Sequence, residues 1–286
     1  MTKFTNLGYY NGEIGEADEL KIPLLDRSNY FGDGVYDATI GRNKVIFALE
    51  EHIERFWNSA KGIGIELPFS KKELEDKFYK LLERFKGGDF LLYWQLSRGT
   101  ALRNHAFPKD SKPNLMILIT PFTLPDLKKK IRLITFNDLR FEYCNIKTLN
   151  LLPSVLASQA AAEKGAQEAV FVRNSKTVTE CAHSNVSILK DGKLKTHPAD
   201  RFILPGIGRK HLIAKAKELG IPVLEEEFSV QELFDADEVL VTSSGTFCAG
   251  AFEIDGKSVG GKAEETLKKL QDELTKDFLE STKARK

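Results

Sequence analysis

Three shortages narrow what this chain can be. Lysine and arginine number 42 against 41 aspartates and glutamates, so no excess of either charge draws the chain to nucleic acid or an anionic membrane. That favours a small-molecule partner. No apolar stretch approaches the length of a membrane span, and the amino-terminal "MTKFTNLGYYNGEIGEADEL" has polar residues where a signal peptide carries its apolar core. The expectation is a soluble, cytoplasmic protein. Cysteine is scarce: Cys144, Cys181 and Cys248 are odd in number and lack the paired spacing of a zinc site, so they read as reduced thiols. Neither disulfides nor a metal is expected to explain the fold. No internal repeat or low-complexity tract is visible.

What is present is 286 residues, enough for two domains, in which strands and helices mix without the strict alternation of a doubly wound sheet. The fold class expected is α+β. In "LEEHIERFWNSAKGIGI", Ile53, Phe56, Trp57 and Ala60 make one helical apolar face, with His52 and Arg55 on other sides. In "SKKELEDKFYKLLERFKGG", Ser70 and Glu73 form a capping box, Leu74, Phe78, Leu81, Leu82 and Phe85 make the stripe, and Gly87 is the expected stop. Buried strands are predicted at 90–97 and 115–120. Residues 121–130, "PFTLPDLKKK", with two prolines and a basic run, are the predicted interdomain linker. A small amino-terminal domain, 1–120, and a larger carboxyl-terminal one, 131–286, follow from that.

The second half is predicted to hold a strand at 131–136, a helix at about 154–164 ended by Gly165, and a hairpin turning at Asp191-Gly192. Further helices are predicted at about 208–219 and after the Ser229/Glu232 cap, with a buried strand "EVLVT" before two serines. A carboxyl-terminal amphipathic helix buries Leu267, Leu270, Leu274 and Phe278. A cleft between two packed halves is the default ligand site.

Within this frame Lys147 stands out. In "YCNIKTLNLLPSVLASQ" it lies between Asn145 and Asn150 and against an apolar run. Alone, such a lysine usually snorkels to water, "LPGIG" is a plain turn, Glu180 is a strand-end residue and Arg55 belongs to a charged helix face. Together they fit one chemistry. A desolvated lysine has a lowered pKa and can attack a carbonyl to form a Schiff base, which suggests pyridoxal phosphate. That cofactor needs a carboxylate at its ring nitrogen and a cradle for its phosphate. Glu180 in "VTECAHSN" can serve the first; the turn Gly206, Ile207, Gly208 at a helix start, with Arg55, Ser243 and Ser244, can serve the second.

The segments "FGDGVYD", "HIERF", "NIKTLNLL", "VTECAHSN", "ILPGIGR" and "VTSSGT", in this order over residues 26 to about 250, resemble the class IV, or fold type IV, pyridoxal-phosphate aminotransferases. The resemblance implies two α+β domains, cofactor at their interface and a homodimer. It also implies Lys147 as the Schiff-base lysine, Glu180 at the pyridinium, Arg55 on the phosphate and Leu204 against the ring. Within the group, "SRGTALRNHAF" resembles the D-amino acid aminotransferases, which implies that Arg103, His105 and Tyr36 hold the substrate carboxylate. A guanidinium can take a carboxylate with two hydrogen bonds, while a phenol and an imidazole each add one. The implied reaction is ping-pong transamination, D-alanine with 2-oxoglutarate being the expected pair. Rival readings are an L-branched-chain aminotransferase, a lyase of the aminodeoxychorismate type, and a non-catalytic cofactor-binding protein.

The chain departs from the group where Gly208 replaces a common threonine, Cys181, Ala182 and His183 replace small hydroxyl residues, and Gly245 replaces a hydroxyl residue. Phosphate holding is therefore expected to lean on Arg55, Ser243, Ser244 and backbone amides. No metal is implied.

Overall fold

Alternating burial through "FLLYWQLS" makes this segment a half-buried strand, and it is one of the two central strands of a six-stranded antiparallel sheet. A computed structural model describes residues 2–126 and 128–284; residue 127 of the predicted linker and residues 1, 285 and 286 lie outside the described residues. The chain divides into two units. One comprises the residues up to Thr123 with Ile146–Asn150 and the chain from Glu280, the other Leu124–Asn145 and Leu151–Leu279. The segment bearing Lys147, assigned from sequence to the larger carboxyl-terminal domain, thus packs with the first unit.

The first unit runs β1 (Leu7–Tyr10), β2 (Glu13–Glu16), α1 (Arg27–Phe31), β3 (Gly34–Arg42), β4 (Val45–Ile46), α2 (Leu49–Gly62), α3 (Lys71–Leu82), β5 (Phe90–Ser97) and β6 (Asn114–Pro121). Its sheet has the order β2-β1-β6-β5-β3-β4. Trp94 on β5 is fully buried against Phe56 of α2 and Phe78 of α3, with ring centroids 5.9 and 4.8 Å away. The two apolar helix stripes read from sequence therefore close over one sheet face. The Ser70/Glu73 capping box starts α3 as expected. Its end differs: α3 stops at Leu82 rather than near Gly87, because the chain beyond it bonds to the amino-terminal segment, Phe4 N to Arg84 O at 2.9 Å and Lys86 N to Phe4 O at 2.7 Å.

The second unit runs β7 (Ile131–Asn137), α4 (Leu152–Glu163), β8 (Glu168–Arg173), β9 (Thr177–Cys181), β10 (Asn185–Lys190), β11 (Lys193–Thr196) and α5 (Ile207–Glu218). It continues with β12 (Val223–Glu225), β13 (Phe228–Ser229), α6 (Val230–Asp235), β14 (Glu238–Thr242), β15 (Ala249–Ile254), β16 (Lys257–Ser258) and α7 (Glu264–Ser281), whose last two residues fall in the first unit. The sheet order is β12-β11-β10-β14-β15-β7-β8-β9-β13, with β16 beside β15. β7 and β8 are parallel, so α4 is their crossover helix. Ala157 and Ala161 let it lie close on Ala169 and Phe171, while Leu152, Val155 and Leu156 remain exposed. Asp191 and Gly192, at φ 49° and 72°, make the β10–β11 turn in the left-handed region that a tight hairpin requires. On α7, Leu267, Leu270, Leu274 and Phe278 are the buried face expected from the sequence.

Among the described residues, no helix is long and apolar enough to cross a membrane.

Candidate active site

In the first unit, segment 146–150 is laid along the free edge of β3. Val35 and Thr148 form an antiparallel bridge; Tyr36 N donates to Lys147 O at 2.9 Å, and Leu149 N to Gly34 O at 3.1 Å. Asn150 Nδ2 donates to Gly32 O at 3.0 Å, and Ser59 Oγ on α2 accepts from Lys147 N at 3.1 Å. Gly34 is required at this junction. A Cβ there would stand 2.6 Å from Leu96 O and 2.8 Å from Leu149 Cδ1. The motifs "FGDGVYD", "HIERFWNS" and "NIKTLN" are thus physically joined around the lysine.

The Lys147 amine donates to the Tyr36 hydroxyl at 3.2 Å and lies 4.2 Å from that ring's centroid. Its setting differs from the sequence expectation of a dry wall. Lys147 is half-buried, and Leu151 and Leu152, from the run after it, are 37% and 68% exposed. What confines the amine is the strand pairing and the Tyr36 ring.

Neighbouring strand residues point to opposite faces. Tyr36 stacks on Tyr93, with centroids 5.5 Å apart, whereas Asp37, on the other face, meets α2. Asp37 is fully buried and takes Arg55 Nε at 2.9 Å on Oδ2, and Arg55 Nη2 at 2.7 Å and His52 Nδ1 at 2.8 Å on Oδ1. Burial alone would raise the Asp37 carboxyl, but the Arg55 and His52 charges and their hydrogen bonds outweigh it and hold it below the usual carboxylate range. His52 is displaced downward, chiefly by burial and further by Arg55 and Lys147, against the opposing pull of Asp37. The sequence reading puts His52 on a side of α2 other than its apolar face, and that side proves to be buried. An imidazole with a buried carboxylate to face turns inward.

Arg103 and His105 lie on the exposed loop after β5, and both reach the ring of Phe31, the Arg103 guanidinium at 5.1 Å and the His105 ring at 5.0 Å. Tyr36 instead contacts Lys147 and Tyr93. Among the described residues the predicted trio is not joined by direct contact; two of its members are brought together, and the third stands with the lysine.

In the second unit, Glu180 at the end of β9 is 6% exposed. Its Oε2 accepts from Asn185 Nδ2 at 2.9 Å and Leu204 N at 3.0 Å, and its Oε1 is paired with Arg140. Arg140 also grips Asp138, from Nε to Oδ1 at 2.9 Å and from Nη2 to Oδ2 at 3.0 Å. For Asp138 too, burial pushes the carboxyl up and loses to the hydrogen bonds and charge of Arg140 and the Thr179 hydroxyl, which pull it down. Sequence reasoning does not single out Arg140 and Asp138. The available signal is a charged pair, in "NDLR", directly after an apolar strand.

Asn185 also donates to Leu204 O at 2.9 Å, and its Oδ1 would stand 1.9 Å from a Cβ at Gly206. Gly206 is the N-cap of α5 and offers no side-chain cap, so the first amides of that helix have no intrahelical acceptor. Gly208 lies against the Ser243 backbone: a Cβ would be 3.1 Å from its oxygen and 3.3 Å from its nitrogen. A threonine there would have to push the Ser243 turn aside, so glycine suits this chain. Ser243 Oγ is 2.8 Å from Thr246 Oγ1 and accepts from Thr246 N at 3.2 Å, which shapes the turn that carries Ser244. The result is an uncapped helix start, glycines that leave its amides open, and hydroxyls alongside. Such a donor set suits a phosphate, and the held carboxylate of Glu180 suits a ring nitrogen.

Residues 34–254 match the family model for amino-transferase class IV. A D-alanine aminotransferase of Staphylococcus haemolyticus is 39% identical over 277 residues, covering 96% of this chain and 98% of the relative. One from Bacillus licheniformis is 36% identical over 276 residues, covering 96% and 97%. Among solved structures, a branched-chain amino acid aminotransferase from Escherichia coli superposes with a TM-score of 0.88 at 24% identity, covering 98% of this chain and 97% of that one. The T.th. branched-chain amino acid aminotransferase complexed with N-(5'-phosphopyridoxyl)-L-glutamate gives 0.86 at 25% identity, covering 100% and 96%.

Proposed function

The chain belongs to the class IV aminotransferases, and from that premise we propose that it transfers the amino group of a D-amino acid, D-alanine foremost, to a 2-oxo acid such as 2-oxoglutarate. The cofactor is pyridoxal phosphate. When bound, it supplies a carbonyl carbon that takes the amino group and a ring that takes up the electrons left when the α-proton departs. Lys147 is the amine that carries the cofactor and then, freed, removes and returns the proton. Glu180, paired with Arg140 and oriented by Asn185 and Leu204 N, accepts the hydrogen bond of the ring nitrogen. Leu204 packs on the ring. Arg55, oriented by its two bonds to Asp37, is a phosphate ligand, and in the second unit Ser243, Ser244 and the amides of Ile207 and Gly208 are the phosphate cradle. Gly206 leaves the approach to those amides open.

The observation that carries the D-amino acid reading is the Arg103 and His105 pair seated together on Phe31, a cationic and a hydrogen-bonding group fit for a carboxylate. Tyr36, beside the lysine amine, adds a phenol. The sequence similarity to D-alanine aminotransferases supports it. The protein is proposed to work as a cytoplasmic homodimer, and the exposed Leu152, Val155 and Leu156 of α4 are the apolar face that supports pairing.

The test is a panel of D- and L-alanine and L-leucine, each with 2-oxoglutarate. Turnover of D-alanine alone is expected. Equal use of L-leucine would favour the branched-chain reading, and repeated turnover of aminodeoxychorismate to pyruvate with no 2-oxo acid acceptor present would favour the lyase.

A further inference from the structure

Asp33 lies three residues before Tyr36 and receives two arginines. Arg27 Nε donates to Oδ2 at 2.7 Å, and Arg98 Nε bonds both oxygens, at 3.0 and 2.9 Å. The three side chains are only 12%, 3% and 9% exposed for Asp33, Arg27 and Arg98. One carboxylate against two guanidiniums leaves a net positive charge in a nearly dry place, an arrangement that is costly unless the remaining donors are used. They are used on backbone carbonyls. Arg98 gives Nη1 to Gly64 O at 2.9 Å and Nη2 to Ile63 O at 2.7 Å, at the end of α2, and lies 3.5 Å from the centroid of Phe107. Arg27 gives Nη1 to Asn104 O at 2.6 Å and Nη2 to His105 O at 3.5 Å.

An exposed loop normally leaves its carbonyls to water. Here a buried guanidinium holds the backbone at the two positions that follow Arg103 and include His105. The same Arg27 lies 4.7 Å from the centroid of Phe31, the ring on which both of those side chains rest. The Asn104 side chain accepts from Ala106 N at 3.2 Å and fixes the bend between them. A cavity of about 280 Å³ runs alongside, lined by Arg27, Phe31, Asp33, His105, Thr148 and Asn150, the last two belonging to the lysine segment.

We propose that Asp33 and Arg27 are positioning residues for the substrate carboxylate: they fix the backbone at Asn104 and His105 so that Arg103 and His105 present their donors together. The proposal rests on the reading of Arg103 and His105 as carboxylate ligands. A fork of five donors is needed for it, so lysine at position 27 keeps the charge but cannot reach Asp33 and both carbonyls at once.

The test compares wild type, Arg27→Lys, Asp33→Asn, Arg103→Ala and the Arg27→Lys/Arg103→Ala double variant, each as the cofactor-loaded protein. The half-reaction rate is measured with D-alanine and with ethylamine, an amine that lacks the carboxylate. D-lactate, which has the carboxylate and no amine, is titrated calorimetrically. Arg27→Lys is expected to lower the preference for D-alanine over ethylamine by about tenfold or more and to weaken D-lactate binding by a similar factor, since small displacements of a binding group cost this much. In the Arg103→Ala background the same change should cost distinctly less, since only His105 is left to position. Should Arg27→Lys melt far below wild type, Asp33→Asn, which keeps the shape and removes the charge, carries the same expectation. A parallel loss for D-alanine and ethylamine, or full additivity with Arg103→Ala, overturns the proposal. An Arg103→Ala variant with an unchanged preference instead overturns the carboxylate reading beneath it.

Discussion

Lys147 and Tyr36 are tied twice, by the Tyr36 amide on the Lys147 carbonyl at 2.9 Å and by the Lys147 amine on the Tyr36 hydroxyl at 3.2 Å. The first tie places the lysine and the second aims it. Tyr36→Phe removes only the second. Cofactor should still be fixed to the protein by borohydride, because the strand pairing survives. Turnover of D-alanine should fall about tenfold, the equivalent of roughly 1.5 kcal/mol for one hydrogen bond to a charged group. A variant that no longer retains cofactor would mean that the backbone tie does not place the lysine.

Gly34 tests the placing directly. A methyl group at this position meets the Leu96 carbonyl at 2.6 Å and Ser97 Cα at 3.0 Å, both backbone atoms that cannot swing away, and Leu149 Cδ1 at 2.8 Å. Gly34→Ala is expected to push segment 146–150 off β3, with a loss of about 1–3 kcal/mol in urea unfolding and a larger loss of turnover than any surface substitution. Wild-type activity in that variant would show that the lysine segment needs no support from this edge.

The helices α2 to α7 and the strands at 90–97 and 185–196 were legible because their apolar periods and turn residues act within a few positions, whereas the five-residue α1 was not. Lys147 and Glu180 were legible through motif order. Their supports were not. Asp37 reaches across 18 residues to Arg55, Arg140 across 40 to Glu180, and Arg27 across 77 to Asn104. A buried ion pair leaves no periodic trace, and each partner alone reads as an ordinary surface charge. The short strands β1, β2 and β4 were missed for a related reason: each is stabilised by its neighbour in the sheet rather than by its own composition.

Arg140 is the partner whose removal should be felt most in the second unit. It bridges Glu180 and a buried Asp138, so Arg140→Met removes the cation shared by two neighbouring carboxylates and leaves Arg173, whose Nε is 3.7 Å from Asp138 Oδ2, to offset them. A loss of about 3 kcal/mol in urea unfolding is expected from removing one partner of a buried ion pair. Cofactor should also dissociate faster on dialysis, as Glu180 loses a hydrogen bond that orients its carboxylate toward the ring nitrogen. Dialysis rates equal to wild type would separate Arg140 from the orientation of Glu180.

His52 should give the folded protein an acid-sensitive range. Asp37 can only accept, so Nδ1 carries the hydrogen toward it, and Nε2 is buried with no hydrogen-bond partner among the described residues. A second proton on Nε2 would place a cation beside Arg55 and Lys147, with Asp37 alone opposing, and burial adds to the cost; the folded His52 therefore titrates below its ordinary 6.5. Above that value neither state takes the proton and stability is flat. Below it the unfolded chain binds a proton that the folded chain refuses, so stability falls as pH drops, by up to about 1.4 kcal/mol per pH unit, until the folded His52 titrates in turn. Asp37 acts lower on the scale. Its folded pKa is depressed, so its stabilising contribution is present above the ordinary 3.8 and is lost only as pH falls through the lower folded value. Melting temperatures at about pH 7.5, 6.5 and 5.5, values that bracket the ordinary histidine range, check this. Wild type should lose stability between the last two, and His52→Asn, which keeps a donor for Asp37 and cannot titrate, should lose distinctly less; equal slopes would assign the acid sensitivity to other groups.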